Sequence, residues 1–132
     1  TKSKIKLVSK NKASKNTVDD MIFAYKVAKH VKSNAIILAN NKQTLGIGAG
    51  QMSRSDSTNI AIMKYKNFFK NKKFVCASDA FFPFTDNIEK LLKLKCKGII
   101  QPGGSMNDNK IINYAIKLNA SLYFAKYRVI KH

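Results

Sequence analysis

From residue 53 onward, short apolar runs alternate with segments whose apolar residues recur at helical spacing. The runs at 74–79, 98–101 and 121–126 are too short for helices and are bounded by turn-forming residues, so they read as strands. Between them, 53–69, 86–95 and 107–118 read as helices. Ile88, Leu91 and Leu92 mark the apolar stripe of one; Ile111, Ile112, Ala115 and Ile116 mark that of another. Upstream, Thr17 is expected to open a helix, with Asp19 and Asp20 in its first turn and Val18, Met21, Ile22, Tyr25 and Ala28 on its apolar side. Residues 34–39 and 43–48 read as two strands joined by the turn Asn40-Asn41-Lys42. The resulting αββαβαβαβ order predicts an α/β fold, a three-layer α-β-α sandwich with a largely parallel sheet and helices on both faces. The length, 132 residues, suits one domain, divided into a basic arm (1–16) and a folded part (17–132).

Charge is the next constraint. The chain carries a formal +18, a balance that raises nucleic acid or an anionic surface as a partner. Yet it holds 23 Lys and only 2 Arg, beside 13 Asn and 14 Ile. Arg is the residue suited to bidentate phosphate and base-edge contacts, so its scarcity favours lysine filling tolerant surface, as A/T-rich codons would produce. A basic α/β module binding RNA or another polyanion without catalysis stays as the alternative. If lysine fills wherever it is tolerated, its absence is informative. Residues 43–63, 74–89 and 98–109 contain none, and they hold all six Gly and both Pro. Thr1 in place of Met points to a processed or trimmed chain, and the first fifteen residues lack the apolar core of a secretory signal. No run of apolar residues is long enough to span a bilayer as a helix. Cys76 and Cys96, without Cys-x-x-Cys spacing, read as buried free thiols of a reducing compartment, consistent with a cytoplasmic protein.

In α/β sheets, ligands gather outside the carboxyl ends of parallel strands. The loops there, Gly48–Arg54, Phe81–Asp86 and Gln101–Asn107, all fall in lysine-free windows. The first, Gly46-Ile47-Gly48-Ala49-Gly50-Gln51, misses the dinucleotide fingerprint because its third Gly comes one residue early. It can serve as a turn at a helix N-terminus that receives an anion, or merely let strand and helix pack closely. Arg54 follows at once, and a lone Arg in a lysine-rich chain suggests a planar, bidentate requirement, with a structural salt bridge as the plain alternative. Arg128, after the last strand, invites the same two readings. The run from Phe81 to Asp86 sets three aromatic rings around Pro83 before a helix. One ring can stack on a planar ligand or plug the sheet edge; Asp86 can hydrogen-bond a ligand or cap the helix, as Asn107 can cap the next. His30 and His132 belong to no metal-ligand cluster, and no nucleophile–base pair is discernible. By itself the chain reads as half of a site.

The segments KHVKSNAIILA (29–39), GIGAGQMSRSDS (46–57), ASDAFFPFTDNIE (77–89) and IIQPGGS (99–105) closely resemble the C-terminal part of AICAR transformylase, the region that accompanies IMP cyclohydrolase in a bifunctional purine-biosynthesis enzyme. The closing YRVIKH (127–132) also resembles that family's C-terminus. The resemblance implies a fold like cytidine deaminase without its zinc. It also implies transfer of a formyl group from 10-formyltetrahydrofolate to the amine of AICAR, with no metal. Asn34, Arg54, Phe81 and Arg128 match positions that contact the nucleotide. Ser55, Asp86, Ser105 and Met106 match positions that contact folate. The family forms an intertwined homodimer whose subunits share active sites. Its proton-transferring Lys–His pair lies upstream of this part; Lys29-His30 does not match it, and His30 is read as structural. The implied partners are AICAR, folate, an upstream transformylase half and a cyclohydrolase domain, with membrane excluded and nucleic acid disfavoured. Without that upstream half, the chain is expected not to turn over.

Overall fold

The structure, a computed structural model, describes residues 5–80, 82, 85–103 and 108–125. Its elements run β1 (Ile5–Leu7), α1 (Lys15–Ala28), β2 (Ile36–Asn40), β3 (Gln43–Gly48), α2 (Arg54–Phe69), β4 (Val75–Ser78), α3 (Thr85–Lys93), β5 (Ile99–Pro102), α4 (Asp108–Lys117) and β6 (Leu122–Ala125). They build one six-stranded sheet in the order β1-β6-β5-β4-β2-β3. The pairs β4–β5 and β5–β6 are parallel, whereas β2 lies antiparallel between β3 and β4, and β1 antiparallel on β6. Four strands, β3 to β6, therefore point the same way, and the loops that leave them open on one edge of the sheet.

Side-chain alternation on the strands feeds two cores. Ile36, Leu38, Cys76, Ile99, Leu122 and Phe124 face Ala61 and Tyr65 of α2, Ile88 and Leu91 of α3, and Ile111 and Ala115 of α4. Ile37, Ala39, Val75, Ala77, Ile100 and Tyr123 face Met21, Ala24, Tyr25 and Ala28 of α1. Because both faces are covered, the inner strands read as unbroken apolar runs in place of alternating ones. The three-layer sandwich expected from element order is the observed architecture.

Two expectations at the N-terminal end need correction. The basic arm does not extend over 1–16, because Ile5–Leu7 forms the edge strand β1, paired with Tyr123–Ala125. Ile5 and Leu7 pack beside the α1-side core, with exposed Lys6 between them, and Ser9 is buried, accepting the Leu122 amide at 2.9 Å. The first helix also begins before Thr17. Ser14 is its N-cap, its hydroxyl accepting from the Thr17 amide at 3.2 Å. That places Asp20 past the first turn, where its carboxylate accepts the amides of Asn41 (2.9 Å) and Lys42 (3.2 Å). Those residues form the β2–β3 turn with φ of 53° and 58°. The acidic residue expected as a dipole partner is thus a clasp on a distant hairpin.

Candidate functional site

The glycine-rich segment resolves into two roles. Gly46 and Gly48 are strand residues of β3 lying directly under α2. A Cβ at Gly46 would sit 2.2 Å from the Ala61 carbonyl oxygen, and one at Gly48 only 1.8 Å from that of Ser57. Close packing is their requirement. Gly50, at φ +69°, is the turn residue. Its amide donates to the Lys32 carbonyl at 2.8 Å, which joins this loop to the segment entering β2.

That junction holds Asn34. Its Nδ2 donates to the Gln51 carbonyl at 2.8 Å, and its own carbonyl accepts the Ser57 hydroxyl at 2.6 Å. The peptide between Ser33 and Asn34 is cis. Arg54, first residue of α2, sits behind the N-cap Ser53, whose hydroxyl accepts the Asp56 amide at 3.0 Å. From there its Nη2 donates to Asn34 Oδ1 at 2.5 Å and to Asp79 Oδ1 at 3.3 Å. The other oxygen of Asp79 accepts the Ser33 hydroxyl at 2.6 Å, and the Asp79 amide donates to the Ala35 carbonyl at 3.1 Å. The side chains of Arg54 and Asp79 are each only 14% exposed. The ion pair offered as the plain reading of Arg54 therefore exists, and it fixes the guanidinium plane instead of exhausting it. Arg54 Nε is buried with no partner.

The third loop group adjoins it. Ser55 Oγ donates to Asn87 Oδ1 at 3.3 Å, tying the start of α2 to α3. Asn87 is fully buried and its Nδ2 has no partner. Gln101, at the end of β5, accepts the Phe82 amide at 3.1 Å, and its Nε2 is likewise buried without a partner. Asp86 is exposed in the first turn of α3, one residue past the helix start, so it is not the cap. Of the expected site residues, Asn34, Arg54, Ser55 and Asp86 are described. Asn34 and Arg54 are in direct contact, while Ser55 follows Arg54 and reaches α3. Phe81, Ser105, Met106 and Arg128, like the proposed cap Asn107, lie outside the described residues. His30 is exposed beyond the end of α1.

Sequence reasoning did not single out Asp79, Ser33, Asn87 or Gln101. A signal existed for Asp79: a carboxylate at a strand end, in a lysine-free window, in a chain with seven acidic residues. Chemically the cluster is an oriented planar cation with orphaned buried donors around it. It can grip and align a polar ligand; among the described residues it contains no nucleophile–base pair.

Fold and edge cluster together define an α/β sandwich with a polar cluster assembled from loops at one edge of its sheet. Residues 1–64 match the model of the family described as AICARFT/IMPCHase bienzyme. Bifunctional purine biosynthesis proteins PurH are similar over nearly the whole chain: that of Caulobacter vibrioides is 46% identical over 131 residues, 98% of this chain and 25% of the relative. Those of Wigglesworthia glossinidia brevipalpis (50% over 129 residues, 97% and 24%) and Aquifex aeolicus (44% over 130 residues, 98% and 26%) agree. The chain is similar to members of this AICARFT/IMPCHase family over nearly its whole length, and it spans about a quarter of the length of the curated relatives it matches.

Proposed function

We propose that the chain is the substrate-binding half of a formyltransferase that moves a formyl group from 10-formyltetrahydrofolate to the amine of AICAR. The observation that supports it most is the Asn34–Arg54–Asp79 constellation, with Arg54 Nε left as a buried donor without a partner. In this reading Asn34 and Arg54 position the nucleotide, with Phe81 stacking on it and Arg128 binding its polar groups. Asp86, Ser55, Ser105 and Met106 receive folate. Asp86 suits that role because it is exposed at the helix start instead of being consumed as a cap. Catalysis is then alignment of donor and acceptor, with the proton moved by a histidine from an upstream half of the domain. Such a site is completed across an intertwined cytoplasmic homodimer. Met52, an apolar side chain 96% exposed two residues before Arg54, is compatible with such a contact.

The test is a formyltransferase assay on this chain mixed with a separately expressed upstream half, beside each alone. A rate confined to the mixture, and abolished by Arg54→Ala, is the expected result. No rate with both halves folded and associated would overturn the reading.

A further inference from the structure

At the opposite edge of the sheet, where helices return to strands, lies a cleft of about 530 Å³. The α2–β4 loop contributes Lys70, Lys72 and Lys73; Lys93 and the α3–β5 loop contribute Lys95 and Lys97. A seventh lysine, Lys66, enters from the last turn of α2. The two loops are tied together by the Lys97 amide, which donates to the Phe74 carbonyl at 2.8 Å. Beneath them the Tyr65 and Phe74 rings pack with centroids 4.7 Å apart, and the Tyr65 hydroxyl donates to the Lys72 carbonyl. The floor is thus apolar and rigid while the rim is cationic.

Lysine that merely occupies tolerated surface spreads over helix faces and finds carboxylates. Here it converges. No acidic residue lines the cleft, and among the described residues the one ion pair made by its lysines is an exposed Lys93–Glu89 contact at 3.9 Å. Lys95 even occupies a left-handed position, φ +66°, that Gly or Asn would take at lower cost. Seven like charges around one hollow repel each other, and an anion seated among them relieves that repulsion. The volume suits a small ligand, not a duplex groove. Lysines supply mobile point charges that wrap a multiply charged anion, whereas base recognition calls for Arg forks and exposed rings. We propose that this cleft binds a compact anion bearing several phosphates, about the size of a triphosphate group, independently of the site at the other edge.

The experiment is calorimetric titration of the 132-residue chain with sodium tripolyphosphate at low and high salt. It is repeated on a variant with Lys70, Lys73, Lys95 and Lys97 each replaced by Ser. A charge-matched control replaces the exposed Lys10, Lys12, Lys26 and Lys29 by Ser. Saturable one-to-one binding is expected, weakened about tenfold or more in the cleft variant and under about twofold in the control. Equal weakening in both variants, or no saturable binding, overturns the proposal by reducing the effect to net charge. Random single-stranded RNA is run in parallel; tighter RNA binding that needs the same four lysines overturns the compact-anion assignment in favour of a nucleic acid. Should the fourfold variant lose its circular dichroism spectrum, Lys73→Gln with Lys97→Gln serves instead. Amide shifts on adding tripolyphosphate are then followed by NMR in parent and double variant. Shifts centred on 70–73 and 94–97 that shrink in the variant support the cleft, and shifts spread evenly over the surface overturn it.

Discussion

Arg54 shows how one side chain is made useful by what restrains it. A free arginine samples many rotamers, but Asn34 and Asp79 both grip Nη2 and leave Nε buried without a partner. Removing a charged partner of a largely buried group costs about 1.5–3 kcal/mol. Asp79→Asn in the reconstituted enzyme should therefore lower kcat/KM about ten- to a hundredfold, with most of the change in the nucleotide KM. Steady-state kinetics at varied AICAR concentration, with circular dichroism to confirm folding, check this. Arg54→Lys should fail to rescue, because an ammonium cannot serve Asn34 and Asp79 while keeping a further in-plane donor. A lysine variant with full activity would show that planarity is not required at this position.

Elements carry a different kind of constraint, most visible at the β2–β3 hairpin. Asn41 and Lys42 both take positive φ, which suits Asn but penalises Lys. Lys42→Gly should raise stability by about 0.5–1 kcal/mol, and Asp20→Ala should lower it by about 0.5–1.5 kcal/mol by releasing two exposed turn amides to water. Urea denaturation of the two variants tests both signs. The same region shows what could be read in advance. Strands β2, β4, β5 and β6 were legible to within two residues because burial on both faces makes short unbroken apolar runs, and the edge strand β3 was legible to the residue because the turn before it and the glycines within it mark its bounds. Strand β1 was not: three residues among lysines carry no period, and their pairing partner lies over a hundred positions away. Arg54 and Asn34 were legible through the scarcity of Arg and a motif. Asp79 was not, since its role arises only where three separate loops converge.

At the scale of the whole molecule, two thiols report on the core beneath the three-helix face. Burial pushes Cys96 up to about 12 and raises Cys76 well above its ordinary range, the neighbouring Cys96 adding to the effect. Both native groups stay protonated where unfolded thiols, near 9, ionise. The unfolded state then binds fewer protons, so this stabilisation is complete below about pH 9 and is lost as pH climbs toward 12. The fall in unfolding free energy between pH 8 and pH 10.5 should be shallower in a Cys76→Ala, Cys96→Ala variant than in the parent. In the native chain at pH 8 neither thiol should react promptly with a disulfide reagent, and both should react once the chain is unfolded.

The contact of α2 with β3 has a consequence for how such a chain can change over time. Most helices rest on a sheet through side chains, so every substitution in that layer nudges the helix and whatever it carries. Here main chain meets main chain at Gly46 and Gly48, with Ala61 and Ser57 as the opposing residues. Arg54 rides on that helix, so its position is inherited from the backbone and is insulated from turnover in the surrounding apolar residues. Lysine can accumulate over the rest of the surface, and isoleucine through the interior, without the site losing its aim. The tolerance ends at those two glycines: Gly48→Ala should cost about 3 kcal/mol, measurable as a lowered melting temperature, and should displace the arginine with the helix.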